Sequence, residues 1–485
     1  MSDVKDEFFV RKEKLKVLQE MNKDPFMNTK FDVNCNSKYI LENFEEVKDK
    51  NHSIAGRIIS KRVMGNICFA HLQDFYGSLQ CYIKKDFMQE ENFKEFKKFD
   101  VGDIIGVYGV ICKTNAGEIS IKTSKIVLLS KALRPLPEKF HGLQNTDLRY
   151  RQRYLDLIIN KNVKDVFLMR SKILLEVRRF LDEENFVEVE TPILSTQASG
   201  AFAKPFLTRH NSLDMEMVLR IALELHLKRL IVGGFERVFE IGRVFRNEGI
   251  DTKHNPEFTL LELYQAYTDV EGMMDITERM IKTVAKRVLN SNEIVYGDLK
   301  INLEDAFEKI TMKEAVLKYS GVDFEKISSL ESARSIAKEK GVEFNKRHKI
   351  GDILNLFFEK YVEKNLIKPT FVLEYPVEIS PLAKRCKQNL NFTERFELFI
   401  DGKEFANAFS ELNDPVDQRE RFQEQAKLKQ MGDEEACEVD EDFLTALEYG
   451  MPPTGGMGIG IDRLVMLITN SESIRDVILF PTMRK

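Results

Sequence analysis

Residues 235–267 read FERVFEIGRVFRNEGIDTKHNPEFTLLELYQAY. Two runs of alternating apolar and aromatic residues flank a stretch at 247–256 rich in Gly, Asp, Asn and Pro, and this pattern predicts an antiparallel hairpin. On the second strand, period 2 puts Phe258, Leu260, Glu262 and Tyr264 on one face and Thr259, Leu261 and Leu263 on the other. The leucine face is core. The other is odd for core, because a carboxylate buried without a partner is strongly disfavoured, so it faces water or a charged ligand. Arg246 and Glu248 close the first strand. A guanidinium there can grip a phosphate through two hydrogen bonds, and it can equally close a salt bridge with the glutamate.

A second hairpin is written in RFELFIDGKEFANAFSE, residues 395–411, where Asp401-Gly402 separates two alternating runs. With those two residues as the turn, Ile400 pairs with Lys403 and Phe399 with Glu404. Glu397 and Glu404 then share a face as diagonal neighbours, roughly 7–8 Å apart at Cα. Two carboxylates so placed either hold a cation or sit solvated on an exposed sheet. An oxygen-only donor set selects Mg²⁺, bound together with water and the phosphates of a nucleotide. Strict alternation sends Asn407, Phe409 and Glu411 to the face opposite Glu404, so a common pocket requires a β-bulge between Glu404 and Asn407.

The third element is TGGMGIGIDRLVMLIT, residues 454–469. Gly456, Gly458 and Gly460 recur at period 2, which strips one strand face of side chains and lets a flat group lie on the backbone. A helix opens at Ile461-Asp462-Arg463 beside that surface, its positive dipole end nearest. Arg463 can stack on a planar ring or meet a phosphate; a glycine strand packed on a helix for structural reasons has the same pattern. No GxxxxGK[ST] is present, which excludes P-loop nucleotide chemistry.

Upstream, the segments 53–59, 67–72, 78–83, 104–110 and 119–127 are short, β-branched or aromatic and mostly alternating, with turn signals between them and a helical insert at 84–98. They predict a five-stranded barrel of the oligonucleotide-binding (OB) type. Basic residues exceed acidic ones there, 11 against 8 over 51–130, which permits a polyanionic partner. Before the barrel, Phe8, Lys12, Leu15, Val17 and Leu18 suggest one amphipathic helix. Pro135 and Pro137 mark a linker. Beyond it, helices at 164–183, 270–289, 332–340 and 352–364 alternate with hairpins, while 297–350 reads as either a structured insertion or a mobile lid. The expected organisation is α+β. It comprises an N-terminal helical region (1–48), an OB-type barrel (49–132), a linker (133–160) and a large domain (161–485) on a mostly antiparallel sheet flanked by helices.

Composition agrees with a globular chain: 43% hydrophobic, 31% charged, net charge −5. No apolar run approaches the ~20 residues of a membrane span. The charged N-terminus is not a secretory signal. Cys35, Cys68, Cys81, Cys112, Cys386 and Cys437 lack paired spacing, which points to reduced thiols in a cytoplasmic protein.

Taken in order, the hairpin arginine, the paired carboxylates and the glycine strand running into an arginine-bearing helix resemble the signature regions of class II aminoacyl-tRNA synthetases. ENFVEVETPILS (184–195) is similar to the first signature, which lies at the dimer interface of that class. The barrel, RYLDL (153–157), FRNEG (245–249), HNPEFT (254–259) and SELND (410–414) narrow the resemblance to the lysyl-tRNA synthetase family. The resemblance implies a homodimer with ATP, L-lysine and tRNA(Lys) as substrates and up to three Mg²⁺ ions per site. It assigns the α-phosphate of ATP to Arg246 and the faces of adenine to Phe258 and Arg463. Magnesium falls to Glu397 and Glu404, and further nucleotide contacts to Glu248, His254 and Asn255. For lysine it assigns Gly200 and Glu224 to the α-amino end and Tyr264, Asn407, Phe409, Glu411 and Glu262 to the side chain. Arg62, Phe69, Gln80 and Glu118 match anticodon-reading positions. The chain departs from the family pattern at Leu223, Ala406, Ala408 and Lys253, but no charged residue of the implied pocket is missing. A relative that activates lysine for another acceptor usually lacks the barrel, and a catalytically dead relative needs lost charges.

Overall fold

The computed structural model describes residues 2–137, 143–430 and 439–484, with side chains from residue 6 onward. Residues 138–142 of the expected linker and Cys437 lie outside the described residues. The chain divides into two compact units, residues 1–143 and 144–485.

In the first unit, β1 (Asn51–Met64), β2 (Ile67–Gln73), β3 (Ser78–Lys84), β4 (Ile104–Lys113) and β5 (Ile119–Ser130) close into a barrel in the order β1-β2-β3-β5-β4. Alternation decides the faces: Cys68, Ala70 and Leu72 of β2 point into the core with Ile58, Cys81, Ile83, Ile105 and Val107, whereas Phe69 and His71 point out. The insert forms the helix Glu90–Lys98, which buries Phe93 and Phe96 against the barrel core. The N-terminal helix, Ser2–Glu20, is present, but its inner stripe is Phe8, Arg11, Leu15 and Leu18. Val17, expected on that stripe, is 43% exposed, and Lys12 faces solvent too. The i, i+3, i+7, i+10 spacing admits Arg11 because its Nη1 reaches the Val101 and Ala132 carbonyls and its Nη2 pairs with Glu7.

The second unit is built on an eight-stranded sheet. Its strands are numbered on from the barrel as β6 (Val187–Glu188), β7 (Leu194–Ser195), β8 (Leu207–His210), β9 (Met215–Leu219), β10 (Arg237–Phe245), β11 (Glu257–Ala266), β12 (Glu293–Tyr296), β13 (Leu299–Asn302), β14 (Glu308–Thr311), β15 (Thr370–Pro376), β16 (Phe392–Ile400), β17 (Lys403–Ser410) and β18 (Thr454–Gly460). The large sheet runs β14-β15-β16-β17-β18-β11-β10-β6, and β7–β9 and β12–β13 form small separate sheets. Only the edge pairs β10/β6 and β14/β15 are parallel, so the sheet is mostly antiparallel, as expected.

One face of this sheet packs on the helices Lys161–Glu183, Val270–Leu289 and Ile461–Thr469. Leu261, Leu263, Phe396, Leu398, Ala406, Ala408 and Ile459 meet Val177, Met280, Val284 and Leu464 there, all of them 1% exposed or less. The helix Val270–Leu289 starts at Asp269, whose carboxylate accepts from the Glu271 and Gly272 amides, and stops at Asn290 in the left-handed region. The opposite face is left for the site. Residues 297–350, left open by sequence, are ordered: the helices Met312–Ser320 and Leu330–Glu339 bury Val316, Ala333 and Ala337 in a core shared with the helix Ile350–Tyr361.

Candidate active site

Every residue that the family resemblance assigns to ATP or to lysine lines one cavity of about 440 Å³ on the open sheet face. Two registers bring them together. In β11, paired in step with β10 and β18, Phe258, Leu260, Glu262 and Tyr264 face the cavity while Leu261 and Leu263 fill the core. In the β16/β17 hairpin, Ile400 pairs with Lys403 and Phe399 with Glu404, but Leu398 pairs with Ala406. Phe405 is therefore the extra residue of a bulge, the one required for Glu404 to share a face with Asn407, Phe409 and Glu411. Glu397 now lies opposite Asn407.

One part of the cavity is a cation-and-ring cradle. The Arg246 guanidinium carbon lies 5.2 Å from the Phe258 ring centroid, and its Nε donates to the Ile221 carbonyl at 3.4 Å. Burial pulls Arg246 below the usual arginine range, against Glu248, Glu404 and Glu262, which favour its charge. Arg463, in the first turn of the helix Ile461–Thr469, donates to the Glu404 carbonyl and stands 3.5 Å from its carboxylate. His254 is exposed on the β10–β11 loop with Nδ1 2.9 Å from Asp251. Glu248 also lines the cavity. Asn255 is 4% exposed, and its amide is already engaged, donating to the Glu257 carbonyl at 2.7 Å and accepting from the Thr482 amide at 3.2 Å.

Glu397 accepts from the Tyr375 hydroxyl at 2.9 Å and from Arg395 Nη2 at 2.6 Å. Burial, then the nearby Glu404, push it up to about 7. Two neighbouring carboxylates with no third acidic, His or Cys ligand among the described residues fit a cation that completes its shell with water and phosphate oxygens, as Mg²⁺ does. Arg395 was not assigned from sequence, although period 2 put it on the face of Glu397. It ties that carboxylate to Asn407 Oδ1 (3.0 Å), the Ile379 carbonyl and Ser380.

The other part is acidic and deeply buried. Glu262 accepts from the Leu223 amide at 3.0 Å and the Tyr264 hydroxyl at 2.9 Å. Burial, then Glu224, push it up to about 7, and Tyr264 is raised well above the phenol range by its own burial. Gly200 adopts φ +89, and a side chain there would crowd Ala222 and Glu224. Gly456 does not offer the bare backbone expected of it: a Cβ would collide with the Glu411 carboxylate and the Tyr264 ring. The open floor is at Gly458, where the nearest atom to a Cβ would be 3.7 Å away. Sequence reasoning missed Lys228, which is 0% exposed, ion-paired with Glu411 and 2.5 Å from Glu224.

On the barrel, Arg62 pairs across strands with Phe69, whose ring stacks on Tyr82 at 5.3 Å and 10°. Gln80 donates to Glu118 at 2.5 Å and accepts from Ser120 at 2.8 Å, and His71 Nε2 lies 3.1 Å from the other Glu118 oxygen. The four anticodon-matching residues therefore occupy one outer patch, with Tyr82 and His71 as additions that alternation from Phe69 and Gln80 points to.

A mostly antiparallel sheet that carries a glycine strand, an arginine-headed helix and paired glutamates over one cavity defines a class II aminoacyl-tRNA synthetase. Comparison with known proteins agrees: the family described as tRNA synthetases class II (D, K and N) matches residues 145–484, and an OB-fold nucleic acid binding domain matches residues 52–129. The chain is 55% identical to the lysine–tRNA ligase of Enterococcus faecalis, covering 100% of this chain and 98% of that one. It is 54% identical to that of Bacillus cytotoxicus (99% and 98%) and 56% identical to that of Thermoanaerobacter pseudethanolicus (98% and 95%). The chain belongs to the lysine–tRNA ligase family of class II synthetases.

Proposed function

We propose that this protein joins L-lysine to the 3′ end of tRNA(Lys) through a lysyl-adenylate, with the cavity residues in the roles that the family resemblance assigns. The lysine carboxylate attacks the α-phosphorus of ATP in line, and pyrophosphate leaves. The 3′-hydroxyl of the tRNA then attacks the carbonyl of the adenylate, and AMP leaves. No protein nucleophile is needed. Holding the reactants in place accounts for up to ~7–11 kcal/mol of the barrier. Arg246 meets the charge developing on the α-phosphate, and Phe258 and Arg463 hold the adenine between a ring and a guanidinium plane. Glu397 and Glu404 hold Mg²⁺, which neutralises phosphate charge when bound.

The amino-acid end is selected by sign. Glu262 and Glu411 suit an ammonium tail, Glu224 and the glycine floor at Gly200 suit the α-amino group, and Asn407, Phe409 and Tyr264 frame the chain between. One observation carries the reading: a carboxylate-lined pocket and an arginine cradle share a single cavity. Arg62, Phe69, Gln80 and Glu118 read unstacked anticodon bases. The protein works in the cytoplasm as a homodimer. No helix among the described residues is long and apolar enough to cross a membrane. A panel of the twenty amino acids in ATP–pyrophosphate exchange tests the reading: lysine alone should support exchange, and exchange with a neutral or acidic amino acid instead of lysine would overturn it.

A further inference from the structure

Lys228 sits in the helix Glu224–Val232, four residues after Glu224 and with no exposed surface. Its ammonium pairs with Glu224 from its own helix at 2.5 Å and with Glu411 from the segment after β17, between the rings of Phe409 (5.5 Å) and Phe443 (5.9 Å). Glu262 and Tyr264 from β11 and Arg395 from β16 are the other charged or titratable groups acting on this cluster. The Glu411 oxygens, fully buried, have no hydrogen bond from the rest of the described protein; the ion pair with Lys228 is their compensation.

We propose that Lys228 is a positioning residue of the lysine subsite: its ammonium aims Glu224 and Glu411 and favours their ionised forms, so that the subsite is complete only when a ligand brings two further cations. The argument rests on the lysine reading above. Once ionised, Glu224, Glu262 and Glu411 carry three negative charges against the one positive charge of Lys228, Arg395 being paired with Glu397, which leaves two. The α- and ε-ammonium groups of lysine balance those two, and the carboxylate of lysine is left for the arginine cradle. Without Lys228, three carboxylates share one buried space, and like-charge repulsion with desolvation keeps protons on them. Burial already pushes Glu411 well above the usual carboxylate range, against the opposing pull of Lys228. Glu224 and Glu411 in turn raise Lys228 despite its burial, so it stays charged.

Lysine-dependent pyrophosphate exchange by Lys228→Met, measured from pH 7 to 9, tests this. The expected result is a lysine KM raised at least about tenfold at pH 7, an ATP KM unchanged within about twofold, and a lysine defect that shrinks as pH rises and the carboxylates ionise. A lysine KM that is unchanged, or raised by the same factor at every pH, overturns the proposal, because a wall residue that only shapes the pocket gives no pH-dependent recovery. The double variant Lys228→Met with Glu411→Gln guards against misfolding, since it removes both charges of the pair. It should be no worse than Glu411→Gln alone, and losses that multiply overturn the proposal. Wild-type protein that fails to use lysine overturns the lysine reading and this proposal with it; an active wild type with a pH-flat Lys228→Met defect overturns only the role of Lys228.

Discussion

Glu262 accepts a hydrogen bond at 2.9 Å from the hydroxyl of Tyr264, two residues along its own strand, so both groups point into the cavity from one face of β11. The carboxylate is set by its own neighbour yet sits near the middle of the physiological pH range, at about 7. An ammonium binds the ionised form. Lysine KM should therefore fall roughly tenfold between pH 6 and pH 8, while Glu262→Gln shows a high KM at both. Steady-state exchange kinetics at the two pH values decide the matter, and a flat profile for the wild type rejects the role given to Glu262.

The same shift acts on stability. Folded, Glu262 keeps its proton up to about 7; unfolded, it loses it near its ordinary value of 4.5. Its proton-linked stabilisation is thus full below pH 4.5 and is lost as pH rises through 7. Glu397, also raised to about 7, acts in the same direction. Melting of the ligand-free protein should show Tm falling from pH 5.5 to 7.5, with added lysine restoring more at the higher pH. A larger effect of lysine at pH 5.5 contradicts this.

The glycine strand separates two effects. Gly456→Ala drives a methyl group into Glu411 and Tyr264; about 1–3 kcal/mol of stability and most lysine affinity should go. At Gly458 the nearest atom lies 3.7 Å from the added carbon, so Gly458→Ala should fold with an unchanged Tm and weaken nucleotide binding. Melting curves and the two KM values distinguish these outcomes.

Magnesium should matter through two carboxylates. Chelation with EDTA should abolish exchange, and Glu404→Gln should raise the Mg²⁺ concentration for half-maximal activity about tenfold or more, with lysine KM little moved. A Glu404→Gln protein with wild-type magnesium dependence rules out the assignment.

Phe69→Ala removes a ring that Tyr82 backs at 5.3 Å. Base stacking of about 1–3 kcal/mol translates into roughly a five- to 150-fold rise in tRNA KM, with lysine-dependent exchange untouched. Equal losses in exchange and charging would mean that Phe69 serves the fold of the protein and not RNA.

Much of this was legible because strand parity is strict. Leucines at 261 and 263 placed the core, so Glu262 had to face the other way, and the conflict between Glu404 and Glu411 demanded an inserted residue, found at Phe405. What escaped notice followed other physics. Glu224 and Lys228 have the i, i+4 spacing of an ordinary solvent-side pair, and only tertiary packing reveals that the lysine is fully buried. Arg11 sits on an apolar stripe because distant carbonyls satisfy it. Strands β6 and β7 are two residues long, too short to leave a period, and Gly456 looks bare until its cross-strand partner Tyr264 is seen to fill the gap.

The single unpaired residue at Phe405 also limits how this arm of the protein can change length. Removing one residue between Glu404 and Asn407, or adding one, swaps every later side chain of β17 from one side of the sheet to the other, sending Phe409 into the helical layer and Ala408 into the cavity, and shifts Glu411, which follows the strand. Length changes here are tolerable only in steps of two, so single-codon insertions and deletions across this span should be far more damaging than substitutions at the same positions.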